Sequence, residues 1–155
     1  MDKKTLIKRT IISSVIIVLV AAVGSIFVAI GMDWFNSLIK PSQWIPNVII
    51  PIVWTVIYLA FAIVNFFWLK KSDIPRDTTI IMLVNGALNV LWCLVFFALK
   101  LTFVGNIFII INLIAGIILW LNIYKTQKLY SYILSIYPIW LSVATTLNLA
   151  LWILN

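Results

Sequence analysis

The chain has no glutamate, no histidine and one cysteine in 155 residues. Its only acids are Asp2, Asp33, Asp73 and Asp77, and all four fall outside the long apolar runs. Acid–base catalysis by paired carboxylates or by histidine therefore has almost no material to work with. Cys93, standing alone, makes no internal disulfide and lacks the companions of a zinc or iron–sulfur site, so no metal site is expected. Charge of either sign is scarce: 10% of residues are charged, against about 25% in a soluble domain. What fills the chain instead is apolar, at 65% of residues. This is the composition of an all-α membrane protein. The net charge of +7 would suit nucleic acid, but the basic residues stand at the ends of apolar segments. That pattern reads as membrane topology, and no nucleic-acid partner is expected.

A helix needs about 20 apolar residues to cross the hydrocarbon core. Five segments qualify, about 10–30, 46–69, 79–99, 103–124 and 130–154. The links between them are short except the first, so neighbouring spans run antiparallel. The expectation is a single domain over residues 1–155, a five-transmembrane-helix bundle with its last span interrupted at Pro138. Lys3, Lys4, Lys8, Arg9, Lys70, Lys71, Arg76, Lys125 and Lys128 fall on one side, and only Lys40 and Lys100 on the other. The positive-inside rule then predicts a multi-pass protein of the cell membrane with a cytoplasmic N-terminus. The first loop and the C-terminus lie outside. The basic start resembles a signal peptide, but the apolar run is longer than an h-region and no clear cleavage site follows. It is read as a retained helix.

Trp34, Trp44, Trp68, Trp120 and Trp152 lie near span ends, where interfacial tryptophan is ordinary. Trp54, Trp92 and Trp140 do not. Counted from the outer ends of their helices, Trp54 and Trp92 lie roughly 12 and 10 Å deep at 1.5 Å per residue. An indole N–H at such depth needs an acceptor, and the intramembrane amides are candidate partners. Asn85, Asn89 and Trp92 share one face of the third span. Trp54 and Tyr58 share a face of the second, and Trp140, Ala144 and Asn148 a face of the last. Asn112 lies within the fourth. Two readings stand side by side: interhelical glue, or an aromatic-walled cavity with amide hooks for a lipophilic ligand. In the first span, Ala21, Ser25 and Ala29, with Gly24 beside them, favour close packing within the bundle or between protomers.

The segment from Asp33 to Tyr58 holds three of the eight tryptophans and three of the five prolines. Pro41 and Pro46 stiffen it. Pro46 suits the first turn of the second span, and Pro51 is expected to kink that span or loosen its first turn, a kink opening space beside Trp54. The segment reads as a lid on the outer side, with an ordered but functionless loop as the alternative.

Taken together, DWFNSLIKP, PNVIIPIVWTVIY, NVLWCLVFF and YPIWLSVATTLNLALWILN resemble the TspO/MBR family, the translocator or tryptophan-rich sensory proteins also called peripheral-type benzodiazepine receptors. The resemblance covers essentially the whole chain. It implies a five-helix homodimer that binds porphyrins such as protoporphyrin IX, and other lipophiles, in a pocket among helices 1, 2, 3 and 5 under the first loop. The residues it places around the ligand are Trp34, Phe35, Pro46, Ile50, Trp54, Asn89, Trp92, Trp140, Ala144 and Leu147. Asn148 belongs to the same terminal motif, and Tyr58 joins the set by sharing the face of Trp54. The chain departs from the family where Phe35 replaces a tyrosine, where Ile45-Pro46 replaces paired prolines, and where Tyr137-Pro138 reverses the usual order. The family's terminal sterol-recognition pattern is missing, so specific cholesterol binding is not expected.

The function expected is a receptor or carrier for porphyrins and similar lipophiles in the bilayer, not an enzyme, with porphyrin as ligand and no cofactor. With histidine absent and methionine and cysteine scattered, the usual haem axial ligands are scarce. A metal-free porphyrin fits better than ligated haem. The alternative is light-dependent oxidation of bound porphyrin, in which Trp54 and Trp140 would act on the excited ligand. Ion-coupled transport is disfavoured because no charged residue lies deep in a span.

Overall fold

The computed structural model describes residues 3–42 and 44–155. Its elements are α1 (Lys3–Ser37), α2 (Ile49–Lys71), α3 (Arg76–Cys93) continued by a π-helical turn (Leu94–Ala98), α4 (Thr102–Thr126), α5 (Lys128–Leu134) and α6 (Ile136–Leu154). No strand occurs among the described residues. Five helical segments are long and apolar enough to span a membrane, with α3 plus the π turn, and α5 plus α6, each counting as one. The fold is thus an all-α five-helix bundle. α1 packs on α2, α3 and the π turn, α4 on α3 and α6, and α5 returns the chain against α2 and α4.

α1 outruns its expected end at residue 30 by seven residues. Trp34 and Phe35 are therefore the last turns of a helix and not part of the loop. Tertiary packing carries the helix past the end of the apolar run: the indole of Trp34 meets Phe96 edge-on at 5.5 Å, and Phe35 packs on Phe97 at 5.4 Å. The helix stops where Lys40 folds back. Its Nζ donates to the carbonyl of Phe35 at 2.8 Å and lies 4.9 Å from that residue's ring centroid. A cation at the negative end of a helix is favourable.

Pro46 is not in α2, which begins three residues later; the Ile49 N–H donates to its carbonyl at 2.9 Å. Pro51 is then the third residue of α2. Its missing N–H belongs to the first turn, which has no intrahelical acceptor in any case, and α2 continues as one helix to Lys71. The break in the last span sits at Ser135, ahead of Pro138. A proline ring clashes with the carbonyl four residues earlier, here Leu134, the last residue of α5.

α3 ends with the Leu99 N–H donating to the Leu94 carbonyl at 2.9 Å, a five-residue span, and Lys100 then takes a left-handed φ of 60°. The π turn lets Val95, Phe96 and Phe97 all be buried. Gly31 is why α1 approaches it so closely: a Cβ there would lie 2.2 Å from the Phe97 carbonyl oxygen. Of the small-residue ladder, Gly24 is buried against Cys93, whereas Ser25 and Ala29 are exposed. At the opposite end of the bundle Arg9 pairs with Asp73, tying the start of α1 to the α2–α3 link.

Candidate functional site

The site is built around Trp54. One helical turn apart on α2, Trp54 and Tyr58 stack at 5.9 Å. Trp54 also meets Trp92 of α3 at 6.1 Å and Tyr137 of α6 edge-on at 6.4 Å. Trp92 in turn stacks on Phe96 at 6.3 Å. A single side chain thus joins three helices through ring contacts of the kind that add about 0.5–1.5 kcal/mol each beyond burial.

Beside the rings runs a buried amide network. Asn89 Nδ2 donates to the Tyr58 hydroxyl at 3.0 Å, and Asn85 Nδ2 donates to Asn112 Oδ1 at 2.9 Å. Asn112 Nδ2 reaches Asn89 Oδ1 at 3.4 Å, and the Tyr137 hydroxyl approaches Asn112 Oδ1 at 3.5 Å. The amides therefore bond to one another and to tyrosines, tying α2, α3, α4 and α6 together. They do not pair with the deep indoles. Trp92 Nε1, Trp140 Nε1 and Asn148 Nδ2 are buried donors with no partner. Buried polar groups are nearly always satisfied, and an orphan costs roughly 1–3 kcal/mol.

Of the residues nominated from sequence, Trp34, Phe35, Ile50, Trp54, Trp92 and Ala144 pack into one aromatic cluster beneath the first loop. Trp140 belongs to an adjoining cluster with Ile57, Tyr137 and Leu141, and Ile50 and Trp54 bridge the two. Asn148 is buried, Leu147 half-buried and Pro46 exposed in the loop. Trp54, Tyr58 and Asn89 face a cavity of ≈ 140 Å³ that runs from them toward the basic end of the bundle, away from the loop. Its walls come from α1, α2 and α3, with Tyr137 and Leu119 closing one side. Directly under the loop Trp34, Phe35, Trp92, Phe96 and Phe97 pack ring on ring.

The loop is held by a contact the sequence did not suggest. Asn155 accepts the Ile39 N–H at 2.9 Å and donates to the Ile39 carbonyl at 3.0 Å, so the last residue clips the loop to α6. The Trp44 indole donates to Asn47 Oδ1 at 2.8 Å inside the loop. Tyr137 and Asn65 are further cavity residues that the sequence reading did not nominate. Asn65 lies seven positions after Tyr58, on the same face, and that spacing was the available signal. Of the tryptophans assigned to the interface, Trp152 is exposed, whereas Trp68 is buried inside the bundle at 1% exposure.

Comparison with known proteins gives the chain its place. A model of the TspO/MBR family matches residues 13–153. Tryptophan-rich protein TspO of Archaeoglobus fulgidus is 31% identical over 153 residues, covering 94% of this chain and 96% of its own. Protein CrtK of Rhodobacter capsulatus is 29% identical over 135 residues, covering 79% of this chain and 78% of its own. Tryptophan-rich protein TspO of Chlorobaculum tepidum is 27% identical over 138 residues, covering 85% and 86%. With a bundle of five apolar helices, deep tryptophans on three of them and a family match running almost end to end, this multi-pass membrane protein belongs to the TspO/MBR family.

Proposed function

We propose that this protein is a membrane receptor or carrier that binds a porphyrin, or a lipophile of similar shape, between α1, α2, α3 and α6 beneath the first loop. The observation that carries the reading is the trio of unpaired donors, Trp92 Nε1, Trp140 Nε1 and Asn148 Nδ2. Three orphaned N–H groups at one end of an apolar bundle call for a guest that brings acceptors, such as the carboxylates of protoporphyrin IX. The surrounding rings supply stacking faces. Entry requires the aromatic cluster and the loop to part, since Trp34, Phe35, Trp92, Phe96 and Phe97 pack on one another beneath it. The same reading sets the basic end in the cytoplasm and the loop outside.

Titration with protoporphyrin IX, read by quenching of the remaining tryptophans, tests it. Trp92→Phe, Trp140→Phe and Asn148→Ala each remove one orphan donor. Each is expected to weaken binding about threefold to tenfold, the worth of a hydrogen bond, while the ligand-free protein melts no lower. Unchanged affinity in all three variants refutes the site.

Light-driven oxidation of the bound porphyrin is a second reading, favoured by one observation. Tyr58, Trp54 and Trp92 form a run of rings with centroids 5.9 and 6.1 Å apart, placed to pass an electron to the excited ligand; dissolved dioxygen is then the oxidant that takes up that electron and attacks the macrocycle.

A further inference from the structure

We infer that the cavity on the far side of Trp54 from the loop is a second binding site, for a small neutral lipophile carrying one hydrogen-bond donor. Its centre of recognition is Asn65 on α2, two turns beyond Tyr58. Asn65 is 7% exposed, lines the cavity, and its Oδ1 is a buried acceptor without a partner. The other polar side chains on the wall are engaged. Ser13 Oγ donates to the Thr10 carbonyl and Thr79 Oγ1 to the Pro75 carbonyl, each within or beside its own helix. Asn85, Asn89, Tyr58 and Tyr137 belong to the amide network. Among the side chains of this wall, Asn65 is the one with a buried polar atom that has no partner, and that atom is an acceptor.

The remaining wall is apolar, with Ile16, Ile57, Phe61, Met82 and Leu83 among its side chains, and no charged residue lines it. A neutral guest follows. A volume of ≈ 140 Å³ is close to the roughly 150 Å³ of an apolar cavity that takes benzene, so the guest is about one ring in size. Thr79 and Leu83 are exposed, so the cavity opens sideways along α3, at the depth of a membrane leaflet. A guest dissolved in the bilayer reaches it without passing the loop.

The test is ¹⁹F NMR of 4-fluorophenol and 4-fluoroanisole titrated into purified protein in detergent, against detergent alone. The two probes share a ring and differ in the O–H. Saturable binding of the phenol, about fivefold tighter than the anisole, is expected; one neutral hydrogen bond is worth that much. Asn65→Leu keeps the volume, removes the acceptor and equalises the two probes. Ile17→Phe fills the cavity and abolishes saturable binding of both, while protoporphyrin IX quenching persists. No saturable phenol binding, equal binding of both probes to the native protein, or a preference that survives Asn65→Leu overturns the inference. Should Asn65→Leu fail to fold, as judged by circular dichroism, undiminished phenol binding to Ile17→Phe overturns it instead.

Discussion

Gly31→Ala tests the contact that shapes the loop end of the bundle. The added methyl would sit 2.2 Å from the Phe97 carbonyl oxygen, 2.6 Å from its carbon and 2.9 Å from its Cα. All three are backbone atoms of the π turn, so no rotamer change relieves the clash. Comfortable separations between carbon atoms are about 3.5–4.0 Å, so α1 must retreat by roughly 1 Å or more. Retreat loosens the contacts of Trp34 with Phe96 and of Phe35 with Phe97. Overpacking a tight interior costs about 1–3 kcal/mol, and a backbone clash belongs at the top of that range. The control is Gly24→Ala, whose methyl would meet Cys93 Sγ at 3.5 Å, an ordinary contact. In a thermal melt of detergent-solubilised protein, Gly31→Ala is expected to lose several degrees and Gly24→Ala about none. Porphyrin quenching should weaken with the first and hold with the second. If both variants melt alike, the close approach of α1 to the π turn is not what holds this end together.

Three further outcomes follow from the same structure. Asn112→Leu removes the amide that receives Asn85 and the Tyr137 hydroxyl and donates to Asn89; it should cost about 2–3 kcal/mol, since partners left unpaired bear the desolvation penalty, and an unshifted melt would count against the network. With the proposed orientation, maleimide applied to intact cells should label Ser37→Cys and spare Thr126→Cys, with buried Cys93 contributing no background; the reverse pattern would invert the topology. Under illumination, bound protoporphyrin IX should bleach faster with the native protein than with Trp54→Phe/Trp140→Phe, and equal rates would remove the photochemical reading.

Much of this molecule was legible without coordinates, for a simple reason. Hydrocarbon leaves a chain little choice but helix, so apolar run lengths determined five spans, and sparse charges marked their ends. The i, i+4 spacing that put Trp54 beside Tyr58 is a property of the helix itself. Helix ends were harder to read. The first apolar run ends near residue 30, yet packing on the π turn carried α1 on to Ser37. Pro51 read as a kink or a loosened turn, yet it stands in the first turn of an α2 that runs on without interruption to Lys71.

What the sequence by itself determined was membership of the membrane class, the number of spans, the scarcity of acid–base side chains and the set of deep aromatic and amide side chains. Only the tertiary structure decided how those side chains pair. It joined the amides to tyrosines and to one another, left two indoles and Asn148 without acceptors, and clipped the loop with Asn155. It also placed the open cavity on the far side of Trp54, toward the basic end. The reason is geometric: helical periodicity says which face a residue is on, but partners arise where faces of distant segments meet. The rotation and depth of one helix against another are set by packing such as Gly31 on Phe97, which no single stretch of sequence contains.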